Sequence, residues 1–382
     1  MTSSIESPTT STNIRWGIVG LGDVCQSKSG PAFYKCQGSE LVAVMRRTPG
    51  KAQEWVHAKQ LKKCVGYDNL DAFLKHPNMD AVYISTRPGT HLELSRRVAA
   101  AGKAVYIEKP VGRCAAETEA IIDACDTAGV PLYTAYISRA YERTHAIRNL
   151  LLDGIIGPKV TSVSYTLVGM GGARGMETTE MPWRLDAAQS GGGLIMDVGC
   201  HVVDRLDYLL GPLLQVKGKA ENKASRDVQK VEDYVHFDAT IGACDWAPIP
   251  SAGASVSCTW DFSSQPSSPK EVDEWIITGP NGSFRMAGMS PAGPIEVLDP
   301  DGKVLKVMDE FIMPEHTAQG LIQFITDDLR GITTSNNNGP VVSRGTNALR
   351  TQNVLDEALS SYYGGREIGY WERPDSWPGC SA

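Results

Sequence analysis

The chain has 382 residues, 42% of them hydrophobic and 21% charged, and a formal net charge of −7. That length predicts two domains at about 100–200 residues each. The acidic balance argues against nucleic acid or an anionic membrane as the main partner, since both need a basic footprint. The nine cysteines form no CxxC pair and are odd in number, so neither a disulfide framework nor a zinc cluster is expected. No apolar run approaches the roughly 20 residues of a membrane span. Segment 1–12 is rich in Ser and Thr and reads as a disordered tail rather than a signal peptide. A cytoplasmic protein is the resulting expectation.

The first apolar run, 14–19, is short and ends in glycines. Runs at 41–45, 81–85, 104–107 and 131–135 are alike, with a briefer one at 64–65. Helical spacing fills the intervals at 49–59, 67–74, 90–101 and 115–128, two of them stopped by Gly102 and Gly129. Strands alternating with helices predict parallel βαβ units. A longer helix, 138–153, reads as the bridge to a second domain. Beyond it the pattern changes to strands at 160–168, 231–240, 254–262, 275–278 and 304–307, separated by turn residues. Strands without intervening helices predict an antiparallel sheet, with helices at 200–210, 314–330 and 345–362. Loops at 168–177 and 245–254 are rich in Gly or Pro. The expected class is therefore α/β: a doubly wound parallel Rossmann sheet over 13–137, then an α+β domain with a large, mostly antiparallel open sheet over 138–364. A C-terminal extension covers 365–382.

The first strand runs into Gly20-Leu21-Gly22-Asp23-Val24-Cys25. This is a near match to the dinucleotide fingerprint, with a small residue in place of the third glycine. Gly20 permits a tight turn, Gly22 lets a diphosphate approach the backbone, and a small third residue lets helix and strand pack. The second strand ends in Met45-Arg46-Arg47-Thr48. The acid that would bind an unphosphorylated ribose is absent. Two guanidiniums stand where they could pair with a 2′-phosphate, so NADP(H) is the expected cofactor.

Further blocks now matter together: Tyr83-Ile84-Ser85-Thr86-Arg87-Pro88-Gly89-Thr90-His91, Ile107-Glu108-Lys109-Pro110, Trp183-Arg184, and Gly191-Gly192-Gly193 followed by Asp197-Val198-Gly199-Cys200-His201. In this order, from about residue 14 to 364, they resemble the glucose–fructose oxidoreductase / inositol dehydrogenase family, Gfo/Idh/MocA. The resemblance implies a Rossmann domain joined to an open sheet through which members commonly oligomerise. It implies that Lys109 contacts both substrate hydroxyl and nicotinamide ribose, that His201 is the general acid/base, and that Asp197 is its acidic partner. It implies cofactor contacts from Ser85, Thr86, Arg87, Pro88, His91 and Glu108, and from Trp183 and Arg184 in the second domain. Tyr136 and Arg139, near Tyr141, would join Asp197 and His201 in binding substrate.

The residue types suit hydride transfer, which needs a proton relay at oxygen: histidine titrates near neutrality, and a lysine cation steadies a developing alkoxide. Asp197 and His201 are four apart, on one face if helical. No His/Asp/Glu cluster has metal-ligand spacing. The reading is an NADP-dependent oxidoreductase acting on a small polar hydroxyl or carbonyl compound, such as a sugar or polyol, and forming a homo-oligomer. The alternatives are an NAD-dependent glycosidase using transient oxidation, which Arg46 and Arg47 oppose, and a dinucleotide-sensing regulator, which has no need of Lys109, Asp197 and His201.

Overall fold

A computed structural model of the chain describes residues 13–169, 182–224, 230–263, 271–332 and 340–373. The expected tail at 1–12 lies outside them, as does most of the loop at 168–177.

The N-terminal domain is built on a six-stranded sheet of β1 (Ile14–Val19), β2 (Ser39–Met45), β3 (Val65–Tyr67), β4 (Ala81–Ile84), β5 (Ala104–Ile107) and β6 (Leu132–Thr134). Its order is β3-β2-β1-β4-β5-β6 and every pairing is parallel. β4 and β5 are buried at every position because both faces of the sheet are covered. Val82, Ile84, Val105 and Ile107 belong to one core; Ile18, Tyr83 and Tyr106 belong to the other. Helices α1 (Ala32–Lys35), α2 (Lys51–Ala58), α3 (Leu70–Leu74), α4 (His91–Ala100) and α5 (Ala115–Ala128) make the crossovers. The chain winds outward from β1 in both directions, so a crevice opens beyond the carboxyl ends of β1 and β4, where the strand order reverses.

The helix expected over 67–74 divides. Tyr67 closes β3, and the Asn69 side chain accepts from the Ala72 amide to start α3; an N-cap outcompetes the propensity of the residues before it. The bridge expected over 138–153 also divides, into a tight turn at Ile137–Ala140 and α6 (Glu142–Leu152), with Tyr141 extended between them.

The second sheet has eight strands: β7 (Ser162–Val168), β8 (Leu213–Glu221), β9 (Tyr234–Ile241), β10 (Ser255–Asp261), β11 (Val272–Gly279), β12 (Gly282–Met286), β13 (Ile295–Leu298) and β14 (Val304–Met308). The order is β14-β13-β12-β11-β7-β10-β9-β8, antiparallel except where β7 meets β10. Burial alternates along β7, β9 and β10, as expected for a sheet covered on one face. The inward set, with Tyr165, Phe237 and Trp260, shares a core with α8 (Cys200–Leu210) and α10 (Gly345–Tyr363). Strands β8, β12 and β13 escaped the sequence reading. β8 carries Lys217, Gly218 and Lys219 at a sheet edge; Gly218 is needed because a Cβ there would lie 2.3 Å from the Ala358 Cα of α10.

Between them stand the short α7 (Ala187–Ser190) and α9 (Gln319–Leu329). Leu321, Ile322 and Ile325 of α9 pack into the N-terminal core with Phe33, so the chain returns to its first domain before α10. Among the described residues, no helix is long and apolar enough to cross a membrane.

Candidate active site

The crevice is a cleft of about 1050 Å³ that runs from the ends of β1 and β2 to the first residues after β5. The Gly20–Val24 turn forms its floor. Gly20 adopts φ +99°, and its amide donates to Met45 O at 3.0 Å, tying the turn to the end of β2. A Cβ on Gly20 would lie 2.4 Å from Ser85 O. Gly22 differs: a Cβ there would meet nothing within 4 Å, so internal packing does not call for glycine. Close approach by a diphosphate does, and the turn therefore fits a dinucleotide. Cys25, at the third fingerprint position, is fully buried against the sheet.

The two glycines predict opposite phenotypes. Gly20→Ala combines an unfavourable φ with a backbone clash, and should lower the melting temperature measurably. Gly22→Val should fold with a melting temperature close to the parent's yet lose dinucleotide binding by calorimetry. Retained binding in Gly22→Val would remove the turn from the cofactor site.

At one end of the cleft Arg46 and Arg47 follow β2 directly; both are exposed. Neither guanidinium has a hydrogen-bond or ion-pair partner among the described residues, whereas the nearby Asp71 is taken by Arg97. Asp68 also lines the cleft. Ser85, Thr86 and Arg87 line the middle.

At the other end stands Lys109. Its Nζ donates to Asp197 Oδ1 at 2.7 Å and to Asp197 O at 2.8 Å, and both side chains are only 14% exposed. Arg184 Nε donates to Asp197 Oδ2 at 3.0 Å, and its guanidinium stacks on Trp183 at 4.5 Å. One carboxylate thus holds two cations that come from different domains. Burial alone would lower the Lys109 pKa; the charge of Asp197, with that of Glu108 and the bond to Asp197, outweighs it, and the ammonium is held above its ordinary value. Glu108 is raised chiefly by burial, opposed by Lys109 and by the Tyr83 hydroxyl that donates to it. Tyr83 and Ser29, hydrogen-bonded at 3.1 Å, form a buried support for Glu108 that carried no signal in the sequence. Neither did Gln189, which accepts from Arg87 and so ties the two domains across the cleft.

Other expected contacts are placed elsewhere. His91 is wholly buried: Nδ1 faces the carbonyls of Pro110 and Val111, and Nε2 faces Thr86 O, each at 3.1 Å. It braces two loops that do line the cleft, and burial lowers its pKa. Pro88 is buried at the start of a tight turn. Tyr136 is buried with its ring edge-on to His201, centroids 6.4 Å apart, and neither lines the cleft. His201 lies on α8 one helical turn beyond Asp197 and is half-buried.

Arg139 also points inward. It is 2% exposed and forms a forked pair with Asp204, at 2.7 Å and 2.9 Å, and bonds Pro340 O. Asp204 is raised to about 6, by burial first and against the pull of Arg139. A buried charge must be paired, and that requirement fixes this arginine in the core. Arg139→Met should destabilise the fold by about 3–5 kcal/mol through the stranded Asp204, seen as a lower denaturant midpoint. A raised KM at unchanged stability would instead return Arg139 to the substrate pocket.

Residues 14–136 match the family model described as the oxidoreductase family, NAD-binding Rossmann fold, of Gfo/Idh/MocA, and residues 144–285 match the Gfo/Idh/MocA C-terminal domain. The chain belongs to the Gfo/Idh/MocA oxidoreductase family. Residues 14–136 are thus a nicotinamide-dinucleotide-binding Rossmann domain. This family member is similar to Oxidoreductase P35 of Formosa agariphila, 31% identical over 71% of this chain and 78% of that protein. It is also similar to the dTDP-3,4-didehydro-2,6-dideoxy-alpha-D-glucose 3-reductase of Streptomyces violaceoruber, 27% identical over 79% and 81%. Among solved structures, the aldose-aldose oxidoreductase of Caulobacter crescentus, complexed with glycerol, shares the fold with a TM-score of 0.72; it is 24% identical and covers 91% of this chain and 97% of its own. Among the described residues, no group of three or more His, Cys, Asp or Glu could hold a metal.

Proposed function

We propose that this family member is an NADP-dependent reductase of a carbonyl group on a small polar compound such as a sugar or polyol derivative, with Lys109 as the proton donor. The observation that carries the reading is the Lys109–Asp197 pair, buried at the end of a cleft whose floor is a bare glycine turn. When bound, the nicotinamide supplies the hydride. Gly20, Leu21, Gly22, Asp23 and Val24 would hold the diphosphate, Arg46 and Arg47 the 2′-phosphate, and Glu108 with Trp183 and Arg184 the nicotinamide half.

The protein's own task is at oxygen. Lys109 keeps its proton at neutral pH because Asp197 and its neighbours favour the cation. The ammonium can hydrogen-bond the substrate carbonyl, stabilise negative charge as it develops there, and deliver the proton. Asp197 accepts from both Lys109 and Arg184 and so orients the lysine. A lysine held protonated suits reduction better than oxidation, which needs it as a base. The rate of carbonyl reduction should therefore stay level through neutrality and fall only as alkaline pH strips Lys109, while the oxidation rate rises over the same range.

The outer face of the eight-stranded sheet is partly open and polar, with Ser164, Asp238 and Glu274 exposed. We assign it to self-association, which sedimentation velocity would show as a species larger than 41.3 kDa.

The deciding experiment is a panel of sugars, polyols and their carbonyl forms, assayed with both nicotinamide nucleotides by absorbance at 340 nm. Turnover of at least one carbonyl compound with NADPH is the expected result. A purified chain that binds neither nucleotide would end the reading.

A further inference from the structure

The segment that carries Asp197 is short. It leaves α7, passes through Gly191-Gly192-Gly193, and turns once through Ile195–Gly199 before α8 begins. Leu194, Ile195 and Met196 are buried in the core, while Asp197 lines the cleft. The position of Asp197 is thus set by how the three glycines are held.

They are held from behind by residues that no step above uses. Glu232, in the segment before β9, is 1% exposed. Both its carboxylate oxygens accept from the Gly193 amide, at 2.8 Å and 2.9 Å. Its Oε2 also accepts from the Tyr363 hydroxyl at 2.6 Å, at the last residue of α10. Arg366, three residues further on, donates to Gly191 O and to Asp356, and lies over the rings of Tyr363 and Trp371. The fit is close: a Cβ on Gly193 would lie 2.2 Å from Glu232 O, and one on Gly191 would lie 2.6 Å from Arg113 O. A carboxylate taken from water is costly unless its lone pairs are used. Here its bonds reach one turn and the chain's C-terminal segment, which lies beyond the matched residues 144–285.

We infer that Glu232, with Tyr363 and Arg366, is a positioning device that locks the triple-glycine turn and so keeps Asp197 against Lys109. The inference rests on the Lys109–Asp197 reading given above. It makes the segment after α10 a working part of the active site. Burial raises the Glu232 pKa to about 7, against the pull of Tyr363, the Gly193 amide and Arg366.

Asp197 raises the Lys109 pKa, so slippage of the turn must lower it. The test reads that pKa directly, without a substrate. The full-length protein is pulse-labelled with acetic anhydride across the alkaline range, and modification of Lys109 is followed by mass spectrometry, with exposed Lys62 and Lys63 as internal controls. Asp197→Asn sets the reference, with a labelling midpoint about 1 pH unit or more below the parent's. Glu232→Gln should lower the midpoint in the same direction, and Tyr363→Phe, which removes only a hydroxyl, should lower it by less. Glu232→Asp, which restores the charge, should recover part of the loss. An Asp197→Asn protein with an unshifted midpoint would overturn the Lys109–Asp197 reading itself. A shifted Asp197→Asn beside Glu232→Gln and Tyr363→Phe proteins that both label like the parent would overturn the positioning role alone, whatever their melting temperatures.

Discussion

Replacing Lys109 by alanine is expected to slow carbonyl reduction by about 10²–10⁴-fold, the usual contribution of a positioned proton donor. Two losses combine. The proton source disappears, and Asp197 loses one of the two cations that it holds while keeping Arg184 at 3.0 Å. Negative charge developing at the substrate oxygen then lies near a carboxylate that has lost one of its two cations. The glycine turn and the arginines after β2 are left intact, so the dinucleotide should still bind, and calorimetry in parallel with single-turnover kinetics separates the two effects. Lys109→Arg preserves the charge but holds its proton more tightly, and should recover binding of substrate better than turnover. A Lys109→Ala protein with parental single-turnover rates would remove Lys109 from the chemistry and leave Arg184 as the candidate electrophile.

Arg46→Asp is expected to reverse the cofactor preference. A charge-assisted hydrogen bond is worth about 1.5–3 kcal/mol, which alone is a factor of about 10–100 in kcat/KM for NADPH. A carboxylate facing a 2′-phosphate adds repulsion to that loss. The same carboxylate can accept from an unphosphorylated ribose, so kcat/KM for NADH should hold or rise. Because Arg46 and Arg47 are exposed, their contribution is screened by salt. The parent's advantage with NADPH should shrink as ionic strength rises, and that of Arg46→Asp should not. Equal kcat/KM for the two nucleotides in the parent, at low salt, would show that the guanidiniums face only water.

The dinucleotide half was legible because its determinants are local. A strand of apolar residues, two glycines at fixed spacing and the residues ending the next strand all lie within about 35 positions, and the backbone geometry of that unit is nearly forced by its length and by the parallel twist. Its strands came out at the expected places, from β1 at Ile14–Val19 to β5 at Ala104–Ile107. Lys109 and Asp197 were legible as candidates through the blocks they sit in. Their meeting was not, since 88 residues separate them.

The misplaced expectations share a cause. His91, Arg139 and Tyr136 are polar residues close in sequence to the cleft, but a side chain's direction depends on what is packed behind it. His91 met three carbonyls and Arg139 met Asp204, 65 residues away. Strand β8 was hidden for a related reason: an edge strand with lysines and a glycine has no periodic signal of its own, and its pairing with β9 and its packing on α10 decide it.

By itself the sequence determined the class of both domains, the glycine cradle and the positive charge beside it, because each depends on residues within a few turns of chain. Only the tertiary structure decided which charges pair. It drew Lys109, Asp197 and Arg184 into one cluster, turned Arg139 to the core, and set Glu232 and the C-terminal segment behind the triple-glycine turn. The physical reason is that desolvation makes an unpaired buried charge costly, and the partner that relieves it can come from anywhere in the chain.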